Sequence, residues 1–198
     1  MIRSKLLRAE HGFPTKDEVS NHALVTVNQV HGVSVIDAAA APAQADGLWT
    51  STSKVALGIR TADCIPLLLE SMSGRRVAAV HAGWKGVIGE IPQVGVAVFE
   101  RESQDLRAAI GPHIRQCCYC VGEDLAERFG ARFGSRVFHR RDGKVFLDLA
   151  YAVRAQLSEK GVAQVDDVER CTHCDAAFHS FRRDGAVAGR QVSFIVCP

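Results

Sequence analysis

Two stretches near the start, Leu24 to Val30 and Val33 to Ile36, are rich in β-branched residues with alternating polarity. Val55 to Ile59, Ile65 to Leu69 and Arg76 to Val80 follow as short apolar runs, which predicts half-buried or fully buried strands. Each run ends at a small turn: Val30-His31-Gly32, Asp46-Gly47, Thr61-Ala62-Asp63-Cys64 and His81-Ala82-Gly83-Trp84. Residues capable of chemistry therefore fall at strand ends. The alanine-rich stretch Ala38 to Ala45, with Pro42 and Gln44, reads as a loop.

Helical periodicity takes over in the second half. Ile88, Ile91, Val94, Val98 and Phe99 recur at helical intervals, predicting one helix over Val87 to Glu102 with Pro92 tolerated near its start. Glu123 to Phe133 predicts a second helix, with Leu125, Phe129 and Phe133 four residues apart. Asp148 fits an N-cap for a third, whose apolar face is Leu149, Ala152, Val153 and Leu157 and whose stop is Gly161. Leu106 to Ile110, Val168 to Cys171, Phe178 to Arg182 and Gln191 to Val196 read as strands. Strands and helices mix throughout, so the expected class is α/β or α+β, a single domain spanning residues 1–198.

Composition narrows the function classes. The chain has 198 residues, 47% hydrophobic and 23% charged, and its 24 Lys and Arg against 22 Asp and Glu leave a net charge of +2. That balance disfavours a disordered chain and a nucleic-acid partner. Its apolar runs are far shorter than the roughly 20 residues of a membrane span, and the N-terminus lacks a signal-peptide core. A cytoplasmic protein without a membrane partner is the expectation. Seven cysteines, with Cys117, Cys118 and Cys120 crowded together, suit thiols or metal ligation better than a secreted disulfide framework.

Three sets of residues could carry chemistry. His31, Cys64 and His81 each sit at a turn, and two imidazoles with one thiolate make a plausible donor set for Zn²⁺ or copper. Three protein ligands would leave a fourth position open, which is the arrangement of Lewis-acid catalysis. Their separations match no short metal motif, and Cys64 as a buried apolar residue with turn-bound histidines fits equally well. Cys117-x-x-Cys120 and Cys171-x-x-Cys174 have the form of a zinc site, but residues 121–170 are a longer gap than a ribbon or finger uses. Buried free thiols are the expectation there. Ser180-Phe181-Arg182-Arg183-Asp184-Gly185 could form an anion-binding wall or an exposed hairpin turn, and Arg141-Asp142-Gly143 repeats the turn-like shape. The glycine-rich nucleotide loops, the serine-hydrolase elbow and the His-Glu-x-x-His helix are all missing from the sequence.

Taken together, these pieces resemble the YfiH or laccase-domain family, catalogued as multicopper polyphenol oxidase-like and associated with purine nucleoside phosphorylase activity. The resemblance rests on His11-Gly12-Phe13, Gln29-Val30-His31-Gly32, Ala45-Asp46-Gly47, Thr61-Ala62-Asp63-Cys64-Ile65-Pro66 and His81-Ala82-Gly83-Trp84-Lys85-Gly86. It continues through Ile110-Gly111-Pro112, Cys117-Cys118-Tyr119, Cys171-Thr172 and Ser180 to Gly185. It implies a single mixed-sheet β core flanked by helices, with His31, Cys64 and His81 as metal and catalytic residues holding zinc or copper. It also implies phosphorolysis of adenosine, inosine, guanosine or methylthioadenosine, with phosphate as co-substrate and deamination of adenosine as a further activity. Arg182 and Arg183 become candidates for binding phosphate, and Asp63, next to Cys64, for moving protons in deamination. Lys16, a third candidate for binding substrate or phosphate, stands where the family pattern has arginine, in an N-terminal region shorter than the family's. Other readings stay open: a Cys64-dependent amide hydrolase of peptidoglycan precursors, a copper polyphenol oxidase, and a silent nucleoside- or partner-binding member.

Overall fold

The computed structural model describes residues 1–100 and 105–198. In chain order the strands begin with β1 (His11–Gly12), β2 (Leu24–Val25), β3 (Val35–Asp37), β4 (Gly47–Thr50), β5 (Ala56–Thr61), β6 (Ile65–Ser71) and β7 (Val77–Ala82). Helices α1 (Trp84–Ile88) and α2 (Ile91–Ala97) follow, then β8 (Leu106–Ile110), β9 (Cys120–Val121) and α3 (Glu123–Phe133). The chain closes with β10 (Phe138–Arg141), β11 (Lys144–Leu147), α4 (Leu149–Glu159), β12 (Gln164–Asp167), α5 (Phe181–Asp184) and β13 (Gln191–Val196).

The mixed α+β class is as expected, but the strands divide among three sheets instead of one mixed core sheet. A six-stranded sheet runs β12-β8-β6-β7-β4-β3, a four-stranded sheet β1-β13-β5-β2, and a small sheet β10-β11-β9. On β6, Ile65, Leu67 and Leu69 pack with α1, α2, α3 and α4 residues such as Val87, Ile91, Phe129 and Leu157. Leu68 faces the other way, into Leu57, Ile59 and Ile195 of the four-stranded sheet. The central strand is thus buried on both faces, which is why its sequence is a continuous apolar run and not an alternation.

Several elements differ from the sequence expectations for identifiable reasons. The single helix over Val87 to Glu102 is two helices, because Pro92 cannot continue the hydrogen-bond ladder and Glu90 takes a left-handed φ of 71° at the break. Its predicted end, Arg101 and Glu102, lies outside the described residues. Leu24 to Val30 pairs as a strand only over Leu24–Val25. Asp46-Gly47 is no turn: Gly47 opens β4, and a Cβ there would sit 2.9 Å from Val35. The predicted strand Val168 to Cys171 is displaced to β12, parallel to β8. Phe178 to Arg182 is no strand either: Ser180 caps α5, its hydroxyl accepting the Arg183 N–H at 3.2 Å. The α3 range, the Asp148 cap on α4 and the β13 range are as predicted.

Candidate functional site

The chain crosses from the four-stranded to the six-stranded sheet between β5 and β6, through Ala62, Asp63 and Cys64. Asp63 takes a φ of 87°, the sharp turn that this crossing requires. Beside β6, register places His81 of β7 opposite Pro66. The loop before β3 brings in His31, itself left-handed with φ 60°. One ligand atom each from His31, Cys64 and His81 lies within 4.8 Å of the others.

One carboxylate holds two of the three segments. Asp46, fully buried, accepts the backbone N–H groups of Val30 at 3.3 Å, His31 at 2.8 Å and Gly32 at 2.6 Å. The same group lies 2.8 Å from His81 Nδ1. With Nδ1–H committed to Asp46, the other ring nitrogen of His81 faces Cys64, as a lone pair when the ring is neutral and as a donor to the thiolate when the ring is protonated.

Burial pushes the Cys64 thiol up, but hydrogen bonds and charge from His31 and His81 outweigh it and bring its pKa down to about 7. Burial likewise opposes a charged His81, yet Asp46 and Cys64 raise it to about 9. Between those two values the pair in the metal-free protein is a thiolate and an imidazolium.

Does this donor set fit a metal? Two imidazole nitrogens and one low-pKa thiolate are a zinc or copper set, and tetrahedral ligands around zinc stand about 3–4 Å apart. These three ligand atoms already lie within 4.8 Å of one another, near enough to face one ion. Gly83 keeps the space clear, since a Cβ there would stand 3.0 Å from Cys64 Sγ and 3.3 Å from His31 Cδ2. The residues fit a three-ligand metal with one open position.

The three residues border a cavity of about 610 Å³. Its walls carry three arginines, Arg60, Arg182 and Arg190, and three aromatic residues, Trp84, Tyr119 and Phe181. Arg182 lies over the Tyr119 ring at 5.3 Å and donates to the Cys120 carbonyl at 2.6 Å. Arg60 donates to the Val27 carbonyl at 2.8 Å, and Arg190 to those of Ala188 and Gly189. Among the described residues none of the three guanidinium groups forms an ion pair with a carboxylate, and with Asp63 the one carboxylate in the lining the cavity carries a net positive charge.

The other sequence candidates are placed as follows. Asp63 borders the cavity, its carboxylate accepting the Thr172 hydroxyl at 2.6 Å and the Arg182 N–H at 2.7 Å. Arg183 turns away from the cavity lining, donating to the Thr172 and Phe178 carbonyls at 2.8 and 2.7 Å and pairing with Asp184. Lys16 is exposed and outside the lining, and its backbone N–H donates to the Ala177 carbonyl at 2.9 Å. Cys117 and Cys174 are exposed and Cys118 and Cys171 half-buried, not the buried thiols expected. Sequence reasoning missed Arg60 and the bracing role of Asp46. The available signals were a lone cation inside the apolar run Ala56 to Thr61 and a carboxylate just ahead of the Gly47–Thr50 strand.

The family model described as multi-copper polyphenol oxidoreductase laccase matches residues 7–198. A Deinococcus radiodurans protein named purine nucleoside phosphorylase is 39% identical over 97% of this chain and 75% of its own length. A protein of an unknown prokaryotic organism, named an adenosine deaminase, is 35% identical over 76% of this chain and 61% of its own. A crystal structure of a Neisseria meningitidis protein superposes with a TM-score of 0.83 at 33% identity, covering 89% of this chain and 75% of that one. The Bacillus licheniformis protein YfiH does so with a TM-score of 0.81 at 28% identity. This chain belongs to the laccase-domain family that includes YfiH.

Proposed function

We propose that the chain is a purine nucleoside phosphorylase that also deaminates adenosine, working at the cavity bordered by His31, Cys64 and His81. The observation that carries this reading is the meeting of that donor set with three carboxylate-free arginines in one cavity. Relatives named purine nucleoside phosphorylase and adenosine deaminase support it. His31, Cys64 and His81 would hold zinc or copper, which when bound supplies Lewis-acid polarisation to an atom at the open position.

The chain's own residues divide the remaining work. Arg182 and its neighbours Arg60 and Arg190 hold inorganic phosphate, and Trp84, Tyr119 and Phe181 offer ring faces for a flat base. A phosphate oxygen then attacks ribose C1′, the C1′–N9 bond breaks, and its electron pair leaves with the purine. Guanidinium groups steady the phosphate as charge shifts. Asp63, whose oxygens accept the Thr172 hydroxyl and the Arg182 backbone N–H, positions the Arg182 segment. Lys16 and Arg183 have no part in substrate binding in this reading. Multi-copper oxidation would need several histidine-bearing donor groups, and among the described residues there is one.

The test is turnover of adenosine and inosine with and without phosphate, following free base, ribose 1-phosphate and deaminated product, with His81→Ala as control. Phosphate-dependent base release lost in the variant supports the proposal; no turnover by the folded, metal-loaded protein overturns it. A second reading has one observation in its favour: the depressed Cys64 thiol beside His81 is also the pair of a thiol-dependent amide hydrolase. Hydrolysis of such amides would survive chelation, whereas the proposed reaction would not.

A further inference from the structure

Far along the chain from one another, two cysteine-bearing turns are pinned side by side. Cys117 and Cys118 lie in the turn after Ile114, and Cys171 and Cys174 in the turn ahead of Phe178. A parallel bridge between His113 and Cys171 joins them, with the Thr172 N–H donating to the His113 carbonyl at 3.0 Å. Four sulfur atoms end up within 4.8 Å of one another. Cys174 Sγ is 3.2 Å from Cys118 Sγ and 3.6 Å from Cys117 Sγ.

The geometry matches a known coordination chemistry. Zinc bound by four thiolates at about 2.3 Å in a tetrahedron sets its sulfur atoms about 3.8 Å apart. The Cys171 sulfur also accepts a backbone N–H, from Arg115 at 3.5 Å. Amide donors aimed at a sulfur favour its thiolate, the form that ligates a metal. Cys120, the residue a C-x-x-C spacing selects, is outside the group; its place is taken by Cys118.

We propose that Cys117, Cys118, Cys171 and Cys174 bind one zinc ion as a closed structural centre, separate from His31, Cys64 and His81. On binding, the thiols release their protons to solvent as the Zn–S bonds form. With every position filled by protein, no place remains for substrate. The long gap between the two turns is no obstacle, because residues 119–170 contain α3, α4 and the β10–β11 hairpin and are not a free loop.

The centre staples two walls of the cavity. Ile114 and Tyr119, on either side of the first cysteine pair, line the cavity, and Thr172, between the second pair, holds Asp63. Zinc would therefore secure the substrate cavity from outside it.

The test isolates this centre from the other by using full-length Cys64→Ala protein, prepared with a thiol reductant and loaded with zinc sulfate. The measurements are zinc per chain by plasma emission and the absorption of the Co²⁺-substituted protein. One tightly held zinc and the intense charge-transfer bands of a tetrathiolate cobalt site are expected, both lost on adding Cys118→Ser or Cys174→Ser and both kept on adding Cys120→Ser. Should the serine variants fail to fold, thiol titration of folded Cys64→Ala protein decides: zinc must shield four thiols until a chelator is added. Failure to take up zinc overturns the proposal, as does zinc indifferent to Cys118→Ser and Cys174→Ser. A disulfide joining these cysteines in the freshly isolated, zinc-free protein also overturns it.

Discussion

Asp46 Oδ1 lies 2.8 Å from His81 Nδ1, with both side chains buried, and the same carboxylate accepts the backbone N–H groups of His31 and Gly32. One carboxylate thus sets the position of both imidazoles, although they come from a loop and from a strand of the six-stranded sheet. Burial disfavours its ionised form, but the hydrogen bonds from His81, Gly32 and His31 outweigh that and hold its carboxyl below the ordinary range.

Replacing Asp46 by Asn keeps the shape and removes the charge, and it brings an amide NH₂ against groups that themselves donate. Metal affinity should fall about 10- to 100-fold, as it does when carboxylate partners of ligand histidines are changed. Competition against a chelator of known affinity measures this, with circular dichroism to confirm folding. Undiminished affinity in Asp46→Asn would show that the carboxylate does not orient the ligands.

Alkylation of metal-stripped protein reads the thiolate of Cys64 directly. Because its pKa is about 7, the rate at this residue should rise with pH and reach half its maximum near pH 7. His81 stays protonated to about 9, so the ion pair persists between those two values. His81→Ala removes one donor and the attracting charge, and the midpoint should move up toward the ordinary thiol value of 9.0. A wild-type midpoint at that ordinary value would contradict the arrangement.

What could be read from the chain alone was whatever is encoded locally. The apolar run Ile65 to Leu69 announced a half-buried or fully buried strand, and the spacing of Leu125, Phe129 and Phe133 announced α3. The Asp142-Gly143 pair, with φ of 51° and 69°, does make the β10–β11 hairpin turn. The similar Asp184-Gly185 does not, because Ser180 caps a helix four residues earlier. The metal donor set was visible as residue types but not as a constellation, since the register of β7 on β6 and the Asp46 brace, not sequence spacing, bring His81 and His31 to Cys64. The meeting of Cys118 with Cys117, Cys171 and Cys174 was hidden for the same reason: a folded segment bridges the gap that spacing rules assign to a loop.

Gly83 has an ordinary backbone, φ −79° and ψ 167°, so alanine is conformationally acceptable there. Only space forbids it: the new methyl carbon would lie 3.0 Å from Cys64 Sγ. Gly83→Ala should fold normally yet lose about 100-fold in turnover, the scale of a misplacement near 1 Å at a reacting centre. Thermal melting and steady-state kinetics on the same sample check both halves. Unchanged turnover would mean that the donor set has slack the structure does not show.

Neighbouring arginines separate recognition from support. Arg182 reaches the cavity over Tyr119, whereas Arg183 is spent on the carbonyls of Thr172 and Phe178 and on Asp184. Arg182→Ala should raise KM for phosphate by about 10- to 100-fold, the loss of one charge-assisted hydrogen-bonding partner, with a small change in melting temperature. Arg183→Ala should do the opposite, costing about 1–2 kcal/mol of stability as its carbonyls lose their donor. Its KM for phosphate should stay near wild type at temperatures where the variant is folded. Phosphate titrations and urea unfolding of both variants decide. If Arg183→Ala shifts KM as strongly as Arg182→Ala, the two guanidinium groups act on phosphate together and the division drawn from their contacts is wrong.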